Sequence, residues 1–375
     1  MFCPAKSIQS YEKNTAFANF CEKKFPNTAN LLHLFANTGF FLYLCTRICK
    51  KAKTMQLSRI ITNRKIDPHP ANDLVYEWED DLQQYFGVSL YYNQAIKNER
   101  YSKYIPLLLN WLQTYDPAFT YEMCTYRHNG NNKRNVVPCI IDFYIRKPWQ
   151  VKLWYAQYWR NPAICVSSRE VYEYLQSILH SPKIHHLPLS ISDRYRITPD
   201  TRFEKKYDIL LAGRQNPVLK EFFTRYLNEH PDITFVRRDF ADGKAVYVDH
   251  TGACISPTDS REIYITLMRS ARACMYSTPG IDGSRQTNGF SQVTPHFLEI
   301  IASGCHPLLR YPKNADTDYY ELPSFGEHLA DYEQFSRALD SARREPVDMN
   351  RYSRYMQAHY TSAVADQLRQ ILQRL

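Results

Sequence analysis

Residues Ala273–Leu309, ACMYSTPGIDGSRQTNGFSQVTPHFLEIIASGCHPLL, decide the fold. An apolar strand-like run opens the stretch, a glycine-bearing loop follows, and a short apolar helix leads into a second strand-like run. Thr294 suits an N-cap and Pro295 a first helical position, so the spacing predicts a helix that begins there with the amides of His296 and Phe297 unspent. Free amides at the positive end of a helix dipole attract phosphate. Glu299 falls too far along to act as a simple cap. Gly304 is placed to close the helix, and His306–Leu309 resumes as a strand.

Outward from this stretch, strand and helix patterns alternate from Met55 onward, which predicts α/β architecture with parallel sheets. In the first half, Leu57–Thr62, Val136–Tyr144, Ala163–Val166 and Ile184–Leu189 read as strands or strand exits. Ile105–Leu112 and Pro148–Tyr158 read as helices, and Ser167 with Glu170 is spaced as a capping box for another. A polar stretch, Ser190–Lys206, separates this half from a second series. There Asp208–Leu211 and Ile233–Val236 read as strands, and Pro217–His230 as a helix. Asp239–Pro257 is irregular or a hairpin, and Ser260–Arg272 is a helix with Asp259 and Glu262 spaced as its capping box. Tyr332–Ala342 is helical, and from Arg351 the chain reads as one long helix with the stripe Tyr360, Val364, Leu368, Ile371, Leu372 and Leu375.

The chain has 375 residues, 44% hydrophobic and 23% charged, a normal balance for a folded protein of two domains. Its net charge of +9 is concentrated at the start, where residues 1–54 carry eight lysines and arginines against Glu12 and Glu22. The remainder is too weakly and diffusely basic for a nucleic-acid track, and no nucleic-acid partner is expected. Ten cysteines form no CxxC pair, which fits a reducing, cytoplasmic location. Asn30–Ile48 is apolar but interrupted by His33, Asn37 and Thr38, so residues 1–54 read as a poorly ordered or membrane-proximal basic extension. The expected division is 1–54, a first α/β domain 55–195, a second α/β domain 196–348, and a C-terminal helix 349–375.

Glycine is scarce, with 11 in all, yet seven lie between Gly213 and Gly304, where they either permit close backbone approach to a pyrophosphate or serve as turns in a loop-rich half. Gly213 and Arg214 follow a strand directly, at the sheet edge where ligands of open α/β sheets collect. Arg214 offers a fixed cationic fork to a leaving diphosphate, or it is a surface arginine on a turn.

Three runs in order, YDILLAGRQNP, SARACMYSTPG and TPHFLEIIASGCHPLL, resemble the C-terminal nucleotide-sugar domain of GT-B glycosyltransferases, with the group 1 and CgeB-like branches nearest. The resemblance is good over about residues 200–310 and looser before them. It implies two facing Rossmann-like domains, with a C-terminal helix returning to the first. It further implies that Gly213 and Arg214 approach the donor phosphates, with Thr294, Pro295 and His296 at the phosphate-facing helix start, and that Glu299 holds the donor ribose. Ser291 stands where many retaining members carry a glutamate, which leaves Asp282 or Arg285 for the sugar end. The same resemblance implies a metal-independent transferase with no cofactor, the nucleotide-sugar being substrate. The partners are then a donor, a glycan or lipid-linked acceptor, and a peripheral contact with the inner face of the membrane. Two other readings share the fold, a sugar-nucleotide epimerase and a non-catalytic scaffold.

In the first half, Asp142 ends a strand as a candidate general base or as a turn cap. His69, Glu77 and Asp80 are alternatives for the acid or base. Tyr144, Trp149, Trp154, Tyr155, Tyr158 and Trp159 either stack on acceptor sugars or fill the core.

Overall fold

Two parallel-dominated sheets form because the apolar runs are too short to be helices and are joined by amphipathic helical segments. The computed structural model describes residues 56–64, 72–92, 117–123, 134–213, 215–241, 243–283 and 287–375, within the unit Met55–Leu375. The segments 1–54 and 105–112 lie outside the described residues.

The first sheet contains β1 (Arg59–Thr62), β2 (Ser89–Tyr92), β3 (Ala118–Met123), β4 (Val136–Ile141), β5 (Ile164–Val166) and β6 (Ile184–His186), in the order β2-β1-β3-β4-β5-β6. Every pair is parallel. Every residue of β4 is buried, as a central strand covered on both faces requires. Helices α1 (Asp73–Phe86), α2 (Pro148–Gln157) and α3 (Arg169–Leu179) belong to this half.

The second sheet has the order β10-β9-β8-β7-β11-β12. Its strands are β7 (Tyr207–Leu211), β8 (Phe235–Ala241), β9 (Lys244–Asp249), β10 (Cys254–Ser256), β11 (Ala271–Ser277) and β12 (His306–Arg310). The four strands β8, β7, β11 and β12 are parallel. The irregular stretch after Asp239 resolves into an antiparallel hairpin, with Ala241 opposite Lys244, that extends the sheet edge. The helices of this half are α4 (Pro217–Glu229), α5 (Arg261–Ser270), α6 (Pro295–Ala302), α7 (Ala315–Tyr319), α8 (Leu322–Phe325) and α9 (Tyr332–Arg344).

The chain end departs from the single long helix. It breaks into α10 (Met349–Met356) and α11 (Thr361–Gln373). Between them Tyr360 is extended and bridges Ile191. The Ile191 amide donates to the His359 carbonyl at 3.0 Å, and Thr361 donates back to Ile191 at 3.0 Å. A continuous helix would spend these groups internally, so the outgoing and returning crossings of the chain are hydrogen-bonded to each other instead. Beyond the break, Val364, Leu368, Ile371 and Leu372 pack with Leu57, Ile60, Trp78, Leu82 and Phe119, so the last helix does return to the first sheet.

Neither capping box forms, and each helix instead has a single cap one residue later. Ser168, not Ser167, caps α3 by accepting from the Val171 amide, and Ser260, not Asp259, caps α5 by accepting from Ile263. The displaced residues are used elsewhere. Ser167 accepts from Gln292 at 3.2 Å, and Asp259 accepts from the Tyr247 hydroxyl at 2.7 Å. Gly304 ends α6 as expected, in a Schellman turn in which Cys305 donates to Ile300 at 3.1 Å and Gly304 to Ile301 at 3.0 Å.

Gly304 has φ of 61°, and a β-carbon there would lie 3.2 Å from the Phe203 ring. Gly304→Ala is therefore expected to lower the unfolding free energy by about 1–3 kcal/mol, read from the urea midpoint at unchanged slope.

Candidate active site

The C-terminal ends of β7 and β11 carry the residues that the sequence singles out. Gly213, two residues past β7, has φ of 76°, a left-handed turn that an L side chain resists. A β-carbon at Gly213 would sit 3.9 Å from the Tyr264 hydroxyl. That hydroxyl lies 2.6 Å from His296 Nδ1, and His296 Nε2 lies 3.3 Å from the Met275 carbonyl. A carbonyl only accepts, so Nε2 carries a proton. Nδ1 then accepts from Tyr264 in the neutral ring, or donates toward Glu299 in the charged one.

Glu299 is 3% exposed, which settles its character as a buried carboxylate rather than a solvated charge. Oε1 lies 2.5 Å from Arg261 Nη1 and Oε2 lies 3.4 Å from His296 Nδ1. Burial alone would raise the Glu299 carboxyl. The Arg261 charge, joined by His296, reverses this and holds it at about 2.

Arg261 also places Nε 3.4 Å from Glu77 Oε2, on α1 of the first sheet. Glu77 in turn accepts from the Tyr195 hydroxyl and lies 3.5 Å from Arg194 Nη1. Nη2 of Arg261 is buried and has no hydrogen-bond partner among the described residues.

Sequence reasoning missed Arg261, and it left Glu77 as only one alternative among acids. The available signal was local. Arg261 is the first residue of α5, where the helix dipole disfavours a cation, so its place there needs a reason from outside the helix.

The helix start at Pro295 holds, but its amides are partly spent. Phe297 donates to the Thr294 carbonyl at 3.1 Å, so it is not free as expected. The Thr294 side chain makes no capping bond, and its amide donates to the Tyr276 hydroxyl at 2.9 Å.

Asp282 lies apart from this group in a left-handed conformation, φ 52°. Its carboxylate is 2.5 and 2.9 Å from the Arg310 guanidinium and accepts from Asn216 at 2.9 Å. Asn216 also caps α4, so Asp282 ties the loops after β7 and β11 to the end of β12. The hydrogen bond from Arg310 holds the Asp282 carboxyl below its usual range.

Ser291 is buried and satisfied, its hydroxyl donating to Thr278 at 2.7 Å. The Ser291 amide donates to Glu170 Oε2 at 3.0 Å, so a carboxylate from α3 of the first sheet reaches this loop. Nearby, Asp316 accepts from the Ser168 hydroxyl and from the Arg169 amide, both at 2.6 Å. Burial pushes the Asp316 carboxyl up to about 7.

Asp142 occupies the C-terminal edge of the first sheet, half-buried, with φ of 59°. Left-handed conformation in an aspartate at a strand end is uncommon and costs about 1–3 kcal/mol where the surroundings impose it. The residues just after it receive the loop from the second sheet, since Asn288 donates to the Tyr144 carbonyl at 2.6 Å and Phe143 meets Phe290 edge to face. His69, Arg214 and Arg285 lie outside the described residues.

Gly213, Thr294, His296 and Glu299 are thus gathered on one edge of the second sheet, with Asp142 on the corresponding edge of the first. A cavity of about 350 Å³ lined by Arg202, Lys205, Arg272 and His306 opens at the opposite edge, where β11 and β12 begin. It is remote from the strand ends that carry the site.

No protein-family model matches the chain, and no curated protein matches it. Among solved structures it is similar to AviGT4, a glycosyltransferase involved in avilamycin A biosynthesis, at TM-score 0.50 and 14% identity over 85% of this chain and 97% of that one. The chain has the GT-B fold. The pneumococcal O-GlcNAc transferase GtfA, in complex with UDP and GlcNAc, is similar at TM-score 0.44 and 11% identity, over 68% of this chain and 56% of that one. This chain therefore spans little more than half the length of GtfA. A putative UDP-N-acetylglucosamine 2-epimerase from Listeria monocytogenes is similar at TM-score 0.45 and 8% identity, over 84% and 95%. Both edges described above are C-terminal strand edges, where ligands of open α/β sheets collect.

Arg261→Met leaves Glu299 and Glu77 buried without their shared cation, and should cost about 3–5 kcal/mol in urea unfolding. Adding Glu299→Gln should restore part of that loss. The depressed Glu299 carboxyl contributes stability that is complete above its ordinary value of 4.5 and is lost as pH falls toward about 2. Wild-type stability should therefore drop more steeply across that window than that of Glu299→Gln, measured by denaturation at stepped pH.

Proposed function

We propose that the chain is a glycosyltransferase that moves a sugar from a nucleotide-sugar donor to a glycan or lipid-linked acceptor without a metal or cofactor. The observation that carries this reading is the convergence of Gly213, Tyr264, His296, Arg261 and Glu299 on one strand edge of a GT-B fold. Anion-binding and hydroxyl-binding groups meet there.

In this reading the donor diphosphate lies against the Gly213 turn, with Arg214 and the His296 end of α6 offsetting its charge. Glu299 sits behind them, buried, and reaches the ribose through its remaining lone pairs. It also fixes Arg261 and His296, so the site is preorganised before the ligand arrives. Asp282 and Arg285 take the sugar end. The acceptor occupies the first-sheet wall.

During transfer, the bond between the sugar's anomeric carbon and the diphosphate oxygen breaks, and its electron pair leaves with the nucleoside diphosphate. An acceptor hydroxyl oxygen bonds to that carbon, and its proton passes to Asp142, or to His69. Positioning and charge stabilisation supply most of the acceleration. The protein works in the cytoplasm, peripheral at the inner face of the membrane. Among the described residues no helix is long and apolar enough to cross one.

A thermal-shift panel of UDP-, GDP-, CMP- and dTDP-sugars tests the donor site. One of them should raise the melting temperature of the wild type, by mass action, and raise that of Arg214→Ala and Tyr264→Phe less. Absence of a shift with every donor rules the site out. Release of nucleoside diphosphate that requires an added acceptor then marks a transferase.

A further inference from the structure

Helix α2 buries one face and leaves large apolar side chains exposed beside polar ones on the other. Val151, Trp154 and Tyr158 face the core with Phe143 and Phe290. On the outer side Trp149 and Leu153, one turn apart, and Trp159 just beyond the helix are each 59% exposed. Large apolar side chains exposed close together mark an interaction surface, so this outer face calls for an occupant.

The sequence through it carries charge of one sign. Between Asp142 and Glu170 there is no aspartate or glutamate, against Arg146, Lys147, Lys152, Arg160 and Arg169. Lys147 and Lys152 are exposed, and neither has an acidic partner among the described residues. The Arg160 guanidinium lies over the Trp159 ring at 4.8 Å, and Lys183 donates to the Trp159 carbonyl at 3.2 Å. Tryptophan set among lysines and arginines matches a bilayer surface, where the indole sits at headgroup level and cations meet anionic lipid.

We propose that the outer face of α2, through Trp149, Leu153 and Trp159 with Lys147 and Lys152, docks the protein on an anionic lipid bilayer. The site also has a position that suits this. Just before α2, the Arg146 guanidinium lies 4.2 Å over the Phe290 ring, on the loop contributed by the second sheet. The docked face therefore begins where that loop meets the first sheet, and it would present the C-terminal edge of the first sheet to substrates held in the bilayer. Resting on the proposed function, this narrows the acceptor to the lipid-linked class. The docking surface itself does not depend on that function.

Tryptophan fluorescence tests it on the full chain, because residues 1–54 contain no tryptophan and contribute no signal of their own. With vesicles of phosphatidylcholine and phosphatidylglycerol carrying brominated acyl chains, the protein should co-sediment and its emission should be quenched. Phosphatidylcholine alone should give little of either. Trp149→Phe/Trp159→Phe should remove most of the quenching while still binding. Lys147→Glu/Lys152→Glu should weaken binding at least about tenfold, given the worth of each basic residue at an anionic surface. Trp149→Ser/Leu153→Ser should weaken it comparably, each variant melting as the wild type does.

Absence of binding overturns the proposal. So does binding without quenching, which would place the contact elsewhere in the chain. Unchanged vesicle binding in the variants, with a dimer converted to monomer, would show instead that the face is covered by a second copy. Donor thermal shifts measured without vesicles fail or succeed independently, so the loss of one reading is distinguishable from the loss of the other.

Discussion

One buried guanidinium links the two sheets at the site. Arg261 faces Glu299 on α6 and Glu77 on α1, so a single cation satisfies carboxylates from both halves of the fold. Charges out of water are tolerated only when they are paired and hydrogen-bonded. Each member therefore constrains the others: Glu299 orients Arg261, Arg261 positions α5 against α1, and Tyr264 on α5 aligns His296. The geometry of the candidate donor site and the setting of one sheet against the other are in this way the same physical fact.

Other contacts between the halves follow a similar logic. The start of α3 has unspent amides and hydroxyls, and Asp316 from the second half answers them. Glu170 reaches across to the Ser291 amide and to Asn314. The chain crossings at Ile191 and Tyr360 exchange backbone hydrogen bonds. Backbone groups that helices and sheets cannot use internally thus become the fastening between the sheets.

Much of the fold was legible because its signals are local. Val136–Ile141 reads as a buried parallel strand since its residues alternate with no polar face, and Pro295 and Gly304 punctuate α6 by backbone conformation. Several readings failed where two neighbouring residues were chemically equivalent. Ser167 and Ser168 are equally good caps on paper, and only Gln292 from the other half decides that Ser167 is used elsewhere. The long C-terminal helix failed for a related reason. Nothing in the sequence around Tyr360 forbids helix, but pairing with Ile191 competes and wins.

The site shows the same division. From the chain alone it follows that Gly213 turns after a strand, that α6 starts at Pro295, and that Glu299, flanked by Phe297, Leu298, Ile300 and Ile301, lies where a carboxylate needs a partner. These follow from φ preferences and from the cost of burying charge, which act within a few residues. The identity of that partner is fixed by packing in three dimensions. Arg261 lies 38 positions before Glu299, and Glu77 comes from the other sheet. Electrostatic pairing acts through space, and no periodicity along the chain records which side chains will be brought together.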